Sequence, residues 1–255
     1  MSAVEVIRAE TLAGVPHGFL GRRGGVSTGE LAGLNVGYGS NDDRAAIDEN
    51  RRRAVAALLP AADLATVHQV HSADVVYADR SWPQAERPRA DAMVTDRPGL
   101  LLGILTADCA PVLFADAEAG VVAATHSGWR GAVAGVNEAT IDAMERLGAV
   151  RERISAVIGP SIAQPSYEVD ESFRQRFLDA DPETERFFVG GPAGKPHFDL
   201  PTYVQNRLRS AGVRVEQLNL DTYADPQRFY SFRRATHLGE ADYGRQLSAI
   251  ALPTS

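Results

Sequence analysis

Apolar runs separated by short polar turns dominate the middle of this chain. Several runs are shorter than typical helices and predict buried β-strands, over residues 100–106, 112–115, 121–125 and 154–159. The polar stretch 116–120 between two of these runs predicts a hairpin turn. Residues 64–79 also have an extended pattern, which a turn at 72–74 interrupts. The centre of the chain is therefore predicted to be rich in sheet.

Apolar residues at helical spacing alternate irregularly with these strands. This spacing predicts helices over residues 43–59, 133–147, 170–180 and 201–210. Two further strands are predicted over 213–220 and 228–232, and a Gly/Pro-rich surface loop over 190–196. No repeat or linker divides the sequence. We therefore predict one α+β domain over residues 1–255, with mixed β-sheet layers flanked by helices.

The bulk composition limits the classes of partner. The formal net charge is −7, which disfavours nucleic acid and anionic membrane surfaces. No apolar run approaches the roughly 18 residues of a membrane span. The segment Met1–Val6 has no basic and apolar pattern of a secretory signal, and one cysteine excludes an intrachain disulfide. A cytoplasmic location is expected, and the oligomeric state is left open.

The single cysteine, Cys109, lies just after one apolar run, and His126 ends another. If Ala115 pairs with Val121 in the predicted hairpin, Cys109 lies opposite Ser127, next to His126. Strict alternation would then direct the thiol and the imidazole to opposite faces. A one-residue bulge beside the proline that follows would bring them to the same side.

A thiol beside an imidazole permits two kinds of chemistry. Cys109 and His126 could form a nucleophile pair, or they could bind a metal with a third ligand. His68 and His71 are candidates for that ligand, and His71 lies at a predicted turn from which its side chain can project. Buried packing of the thiol is a third interpretation, and spacing alone leaves all three open.

The glycine-rich segment Gly21–Ser27 also has two interpretations. It predicts either a hairpin or a loop in which backbone N–H groups and Arg22 face an anion. Lys195 is the only lysine, so nearly all of the 26 basic residues are arginines. Any phosphate-binding site is therefore expected to use arginine, which binds phosphate bidentately.

Sequence blocks over nearly the whole chain resemble one known family. The two most specific blocks are Thr106–Phe114, which contains Ala-Asp-Cys, and His126–Gly131, which reads His-Ser-Gly-Trp-Arg-Gly. Other matching blocks are Arg22–Ser27, Leu34–Gly37, Glu49–Arg51, Gln69–His71, Ala90–Ala92, Ile158–Ile162, Tyr167–Val169 and Tyr230–Arg234. The chain thus resembles the YfiH/laccase-domain family, described as purine nucleoside phosphorylases and formerly labelled multicopper polyphenol oxidases.

The resemblance implies a metal site formed by His71, Cys109 and His126, most often with zinc. It also implies an α+β fold similar to Cys–His hydrolases. The implied activities are phosphorolysis of adenosine, guanosine (inosine) and S-methyl-5'-thioadenosine, and deamination of adenosine. The alternatives are a Cys–His amidase that acts on a peptidoglycan precursor and a non-catalytic, zinc-stabilised interaction protein.

The number of available ligands argues against the older oxidase label. A multicopper oxidase needs about ten histidines and a blue-copper cysteine, whereas this chain has six histidines and one cysteine. One thiolate and two imidazoles suit tetrahedral zinc with an open position. Copper polyphenol oxidation is therefore disfavoured, although copper can compete with zinc for such ligands.

Residues around the predicted metal site are candidates for catalysis and substrate binding. Besides Cys109, Asp108 is the nearest carboxylate for proton transfer. The substrate-binding candidates are Arg22, Trp129, Arg130, Arg233 and Arg245, although Trp129 is also suited to core packing. The chain departs from the family at Phe232, where tyrosine is usual, at the inserted residues 235–242, and at His68, where many members have glutamate. The first two departures fall at the predicted substrate edge.

Overall fold

The computed structural model describes residues 3–253. The limits of the predicted domain and the first two residues of the segment Met1–Val6 lie outside the described residues. The strands are β1 (Val6–Ile7), β2 (His17–Leu20), β3 (Asp63–Thr66), β4 (Val75–Tyr77), β5 (Ala92–Thr95), β6 (Leu100–Thr106), β7 (Ala110–Asp116), β8 (Val121–Ser127), β9 (Ser155–Ile158), β10 (Phe188–Gly190), β11 (Pro196–Phe198), β12 (Arg214–Gln217) and β13 (Gln246–Ile250). The helices are α1 (Arg44–Leu58), α2 (Trp129–Ala134), α3 (Val136–Arg146), α4 (Glu171–Ala180), α5 (Leu200–Ser210) and α6 (Phe232–Leu238).

Two mixed sheets pack against each other and are covered by helices. One sheet has the order β1-β2-β13-β6-β3 and the other β12-β9-β7-β8-β5-β4, while β10 and β11 form a separate two-stranded ribbon. Strands β6 and β13 contact β7 and β8 across the interface between the sheets. Helix α1 covers the outer side of the first sheet, and α3 and α5 cover the second. The predicted α+β fold is confirmed.

The burial of both faces explains why the central strands are continuous apolar runs. In β7, Val112 and Phe114 belong to the cluster that contains the helices, whereas Leu113 and Ala115 face the other sheet. Alternating side chains are therefore all removed from water, and no polar face is needed. All seven residues of β7 and all seven of β8 are buried.

The predicted helix over 133–147 begins earlier and is divided in two. It starts at Trp129, and Gly135 between α2 and α3 has a φ of +90°, a left-handed conformation that favours glycine. The break changes the direction of the chain after α2. The face of α3 that contains Val136, Thr140 and Met144 is buried as the apolar spacing predicts.

The predicted strand over 228–232 is wrong. Residues 228–231 are irregular, and Phe232 starts α6, whose N-terminus is capped by the Ser231 side chain through a bond from the Arg234 N–H. The Arg234 guanidinium also donates to three backbone carbonyls nearby. These polar contacts stabilise the irregular segment and the start of α6, although the aromatic residues of this sequence favour a strand. The loop predicted over 190–196 is likewise shortened, because β10 ends at Gly190 and β11 begins at Pro196.

The predicted register of the β7–β8 hairpin is wrong by one residue. The sequence places Ala115 opposite Val121, but Asp116 takes that position. The Asp116 carboxylate accepts hydrogen bonds from two backbone N–H groups of the turn, which fixes the turn one residue later. Among the described residues, no helix is long and apolar enough to cross a bilayer.

Candidate metal centre and adjoining cavities

Three residues from separate parts of the sequence converge beside the β7–β8 hairpin. The potential ligand atoms of His71, Cys109 and His126 all lie within 4.8 Å of one another. His126 belongs to β8, Cys109 lies in the bend just before β7, and His71 lies in the loop between β3 and β4. One thiolate and two imidazoles form the donor set of a tetrahedral zinc site with a fourth position open.

The corrected register explains how Cys109 and His126 share one face of the sheet. Pro111 lies directly opposite His126, and Cys109 precedes Pro111 by two residues. Directly opposite residues point to the same side of the sheet, and Cys109, in the bend just before β7, has its Sγ within 4.8 Å of the His126 ring nitrogen. The one-residue difference from the predicted register therefore turns two diverging side chains into a converging pair.

Asp91 connects the three-residue cluster to the fold, and sequence reasoning gave it no role. It is fully buried just before β5, and its Oδ1 accepts a hydrogen bond from His126 Nδ1 at 2.7 Å. This bond leaves Nε2 of His126 available to a metal, an arrangement typical of metal-bound histidines. The sequence feature that could have indicated this role is the block Ala90–Ala92, in which one carboxylate precedes a buried strand.

The second oxygen of Asp91 holds the loop that carries His71. It accepts from the backbone N–H of Val70 at 3.0 Å, from the backbone N–H of Ser72 at 2.6 Å, and from the Ser72 hydroxyl. His71, between these two residues, has a φ of +62°, which is unusual for a residue with a side chain. One carboxylate thus orients His126 directly and fixes the strained backbone of His71.

The charges of the cluster are interdependent. Burial by itself raises the pKa of Asp91, but hydrogen bonds from His126 and the Ser72 backbone outweigh it and lower the pKa to about 2. Burial lowers the pKa of His126, yet the charge of Cys109 and the Asp91 bond prevail and raise it to about 9. Burial and the neighbouring His126 lower the pKa of His71. Without a metal, the geometry therefore favours a protonated His126 beside the ionised Asp91 carboxylate.

Gly128 has no side chain, and the cluster occupies the space that a side chain there would fill. A Cβ at this position would lie 2.7 Å from His71 Nδ1 and 3.0 Å from Cys109 Sγ. The φ of Gly128 is −68°, which any residue can adopt, so its backbone does not require glycine. The close approach of the ligand atoms is the feature that requires it, and the residues present fit a bound metal ion.

We expect Gly128→Ala to weaken metal binding about tenfold or more, because the added methyl group displaces two ligand atoms. Zn²⁺ affinity measured by competition with a chromophoric chelator tests this. Gly190→Ala is the matched control, since a Cβ there has nothing within 4 Å. Equal zinc affinity in the two variants would contradict the role assigned to Gly128.

A cavity of about 700 Å³ opens on one side of the cluster. We call it the aromatic cavity, because its lining includes Trp129, Tyr167, Phe173, Phe232 and Tyr243. His71 and Cys109 also line it. Trp129 packs edge-on against Phe173 at 4.9 Å between ring centroids, so it belongs both to the cavity wall and to the core behind it.

A second cavity of about 330 Å³ meets the cluster from another side. We call it the arginine cavity, since its lining includes Arg87 and Arg245. All three residues of the cluster also line it. The two cavities share His71, Ala107, Cys109 and Tyr243. The candidate metal centre therefore lies where the two spaces meet.

Asp108 is next to Cys109 in sequence, but its carboxylate is occupied by other contacts. It has a φ of +87°, is buried, and accepts from the hydroxyls of Thr222 and Ser231 and from the backbone N–H of Arg233. Burial raises the pKa of Asp108 despite these bonds. These contacts join the bend that carries Cys109 to the start of α6.

The candidate arginines are dispersed. Arg233 lines the aromatic cavity, donates to the Glu168 carbonyl at 2.6 Å and lies over the Tyr167 ring. Arg245 lines the arginine cavity. Arg22 and Arg130 line neither cavity. Arg22 donates to the backbone carbonyls of residues 32 and 226. Arg130 is exposed, and its guanidinium lies over the Trp129 ring.

Comparison with known proteins identifies the family of this chain. Residues 16–253 match the family described as "Multi-copper polyphenol oxidoreductase laccase". The chain belongs to this family. This YfiH/laccase-domain chain is 42% identical to a "Purine nucleoside phosphorylase" of Deinococcus radiodurans, over 97% of this chain and 93% of the relative. It is 40% identical to "Purine nucleoside phosphorylase ORF3" of Streptomyces griseus, over 89% and 92%.

Solved structures of the YfiH/laccase-domain family have the same fold. The protein NMB0706 of Neisseria meningitidis superposes with a TM-score of 0.88 at 32% identity, over 99% of this chain and all of that one. The YfiH protein of Bacillus licheniformis superposes with a TM-score of 0.87 at 28% identity, over 99% and 97%. The resemblance found in the sequence is therefore confirmed at the level of family and fold.

Proposed function

We propose that this protein is a metal-dependent purine nucleoside phosphorylase whose reaction centre is the cluster of His71, Cys109 and His126. The observation that carries the proposal is the position of the cluster where the aromatic and arginine cavities meet. Relatives at 42% and 40% identity are named purine nucleoside phosphorylases, which supports the same substrate class.

Zinc is the metal that the donor set favours. The ligands would be Cys109 Sγ, His126 Nε2 and one ring nitrogen of His71. When bound, zinc would supply a Lewis acid beside the reacting atoms. Copper is the weaker alternative, and oxidase chemistry that needs several coppers is disfavoured, because residues 3–253 contain a single His/Cys/Asp/Glu group of this kind.

The aromatic cavity is suited to the nucleoside. Its volume of about 700 Å³ lies within the usual range of small-molecule sites. Trp129, Tyr167 and Phe232 offer aromatic faces for a purine base, and half of the Phe232 surface is exposed and unused by the core. The family departures at Phe232 and residues 235–242 belong to this wall, since Thr236 and His237 also line it.

The residues around the cavity would position the substrate. The carboxylate of Asp108 fixes the N-terminus of α6 and so places Arg233 at the cavity wall. Arg233 can donate to ribose or base acceptors on that side. We thus propose that Asp108 positions Arg233. The raised pKa of the Asp108 carboxyl also makes it a candidate proton carrier for adenosine deamination.

The deciding experiment combines metal analysis with product identification. The purified protein is incubated with phosphate and, in turn, adenosine, guanosine, inosine and S-methyl-5'-thioadenosine. We expect about one zinc per chain, because the described residues contain one such cluster. We also expect the products to be the free purine and the sugar 1-phosphate. Formation of inosine from adenosine would identify deamination. A protein that binds zinc but turns over none of these substrates would overturn the proposal and favour the interaction protein.

A second candidate function is Cys–His hydrolysis, such as the amidase reaction on a peptidoglycan precursor. Cys109, His126 and Asp91 follow the order thiol, imidazole and carboxylate of a nucleophilic triad. Modification by iodoacetamide discriminates the two functions. If Cys109 is a metal ligand, bound zinc protects it from alkylation; a nucleophile reacts equally with and without zinc, and its alkylation abolishes hydrolysis.

A further inference from the structure

The arginine cavity contains polar groups that neither the metal ligands nor the nucleoside wall uses. Arg87 and Arg245 contribute two guanidinium groups, and none of the residues that line the cavity is Asp or Glu. Within residues 3–253, no carboxylate oxygen lies within 4.0 Å of either guanidinium, whereas many other arginines of the protein have such a partner. The cavity lining therefore contains two arginines and no carboxylate.

Arg245 is held in place by contacts that leave most of its donors unused. Its side-chain stem lies so close to Gly37 that a Cβ there would approach Arg245 Cδ to 3.0 Å. Its guanidinium lies over the Tyr243 ring at 4.3 Å. Among the described residues it makes one side-chain hydrogen bond, at 3.4 Å to the Tyr243 carbonyl. Arg245 is thus oriented by packing, with donors available to a ligand.

Arg87 is oriented in a comparable way by backbone carbonyls. Its Nε donates to the Gln84 carbonyl at 3.1 Å and its Nη1 to the Val67 carbonyl at 3.2 Å. These two bonds fix the plane of the guanidinium and leave its charge uncompensated. Burial lowers the pKa of Arg87, and the neighbouring charge of Arg44 acts in the same direction.

Thr106 gives an independent indication of a ligand. Thr106 is among the residues that line the arginine cavity, and its relative exposure is 2%. Its hydroxyl has no hydrogen-bond partner among the described residues. A buried hydroxyl without a partner is costly and rare in proteins, so a missing ligand or solvent group is expected to satisfy it.

We infer that the arginine cavity is the site for inorganic phosphate, held by Arg87, Arg245 and the Thr106 hydroxyl. The inference rests on the proposed function. In the reaction, a phosphate oxygen forms a bond to C1′ of the ribose as the bond from C1′ to the purine nitrogen breaks. The electron pair of that bond stays on the purine nitrogen, which gains the proton that the phosphate oxygen loses. The two cavities would bring the reactants to the cluster from different sides.

Steady-state kinetics of phosphorolysis tests the inference, with phosphate and adenosine varied separately. Loss of a charge-assisted contact in Arg87→Gln or Arg245→Gln is expected to raise the KM for phosphate about tenfold or more. The KM for adenosine is expected to change by less than about twofold, by the roughly additive behaviour of separated contacts. Arg89→Gln is the matched control, because Arg89 is exposed and does not line the cavity.

Thr106→Val separates the ligand role from a structural one. If the hydroxyl binds phosphate, the KM for phosphate rises although the protein is as stable as the wild type or more so. An unchanged KM for phosphate in Thr106→Val, Arg87→Gln and Arg245→Gln would overturn the inference. So would an equal rise in the KM for adenosine.

Direct titration keeps the test independent of the proposed function. Inorganic phosphate is added to the zinc-loaded wild type and to each variant, and binding is followed by calorimetry. Weaker binding in the arginine variants but not in Arg89→Gln supports the site even if no nucleoside is turned over, a result that would reject the proposed function alone. Equal binding in all variants, or no binding to the wild type, rejects the site.

Discussion

Replacement of Cys109 with alanine is expected to abolish both zinc binding and nucleoside phosphorolysis while the fold is preserved. The thiolate is the anionic member of the three-ligand set, and two imidazoles without it hold zinc far more weakly. The side chain is small and lies in a bend beside the cavities, so its removal leaves the core intact. Metal content, product formation and the circular dichroism spectrum are measured on the same preparation.

The matched control is a histidine outside the cluster. His197 bonds to the Gln164 carbonyl through Nδ1, and an asparagine side chain can make a comparable bond. His197→Asn is expected to retain zinc and activity. Phosphorolysis that survives in Cys109→Ala, with zinc removed by a chelator, would show that the metal-based mechanism is wrong.

Asp91→Asn is expected to weaken zinc binding by about 10- to 100-fold, the usual effect of losing the carboxylate behind a metal-bound histidine. Every group that the Asp91 carboxylate bonds is a donor: His126 Nδ1, two backbone N–H groups and the Ser72 hydroxyl. An asparagine must point its NH₂ group at one side of this set, so at least one buried donor loses its acceptor. The metal-free protein is expected to lose roughly 3 kcal/mol of unfolding free energy.

Urea denaturation and a zinc competition assay measure the two effects separately. Asp74→Asn is the control, because Asp74 lies in the same loop but is exposed. If Asp91→Asn has the zinc affinity and urea midpoint of the wild type, Asp91 has no part in organising the cluster.

Local patterns were sufficient to predict several elements of this fold, whereas strands such as β2, β5 and β13 were not predicted. Strand β6 has the predicted limits, because its apolar run is bounded by glycine before it and polar residues after it. Helix α1 begins after Asp43, whose carboxylate accepts from the Ala45 N–H as a typical N-cap. Each of these features depends on neighbours within a few residues, which a sequence contains directly.

The hairpin register and the role of Asp91, which the sequence did not predict, depend on side-chain hydrogen bonds, several of them between residues distant in sequence. The hairpin register changed by one residue because the Asp116 side chain binds its own turn and Arg153 from a later segment. Asp91 was missed because its partners, His126 and the loop at Ser72, are 35 and 19 residues away. His71 came from the family resemblance, since nothing local to it indicates that its loop reaches Cys109.

The position of β13 has a consequence for how the protein is made. This strand is the last of the described strands, yet it lies between β2 and β6 in the middle of its sheet. Until the ribosome has released residues 246–250, both neighbours present an open edge, which is a template for aggregation. Arg245 immediately precedes this strand, so the arginine cavity is also completed last. A chain that stops before Arg245 therefore leaves the edges of β2 and β6 unpaired and lacks one of the two arginines that line the arginine cavity.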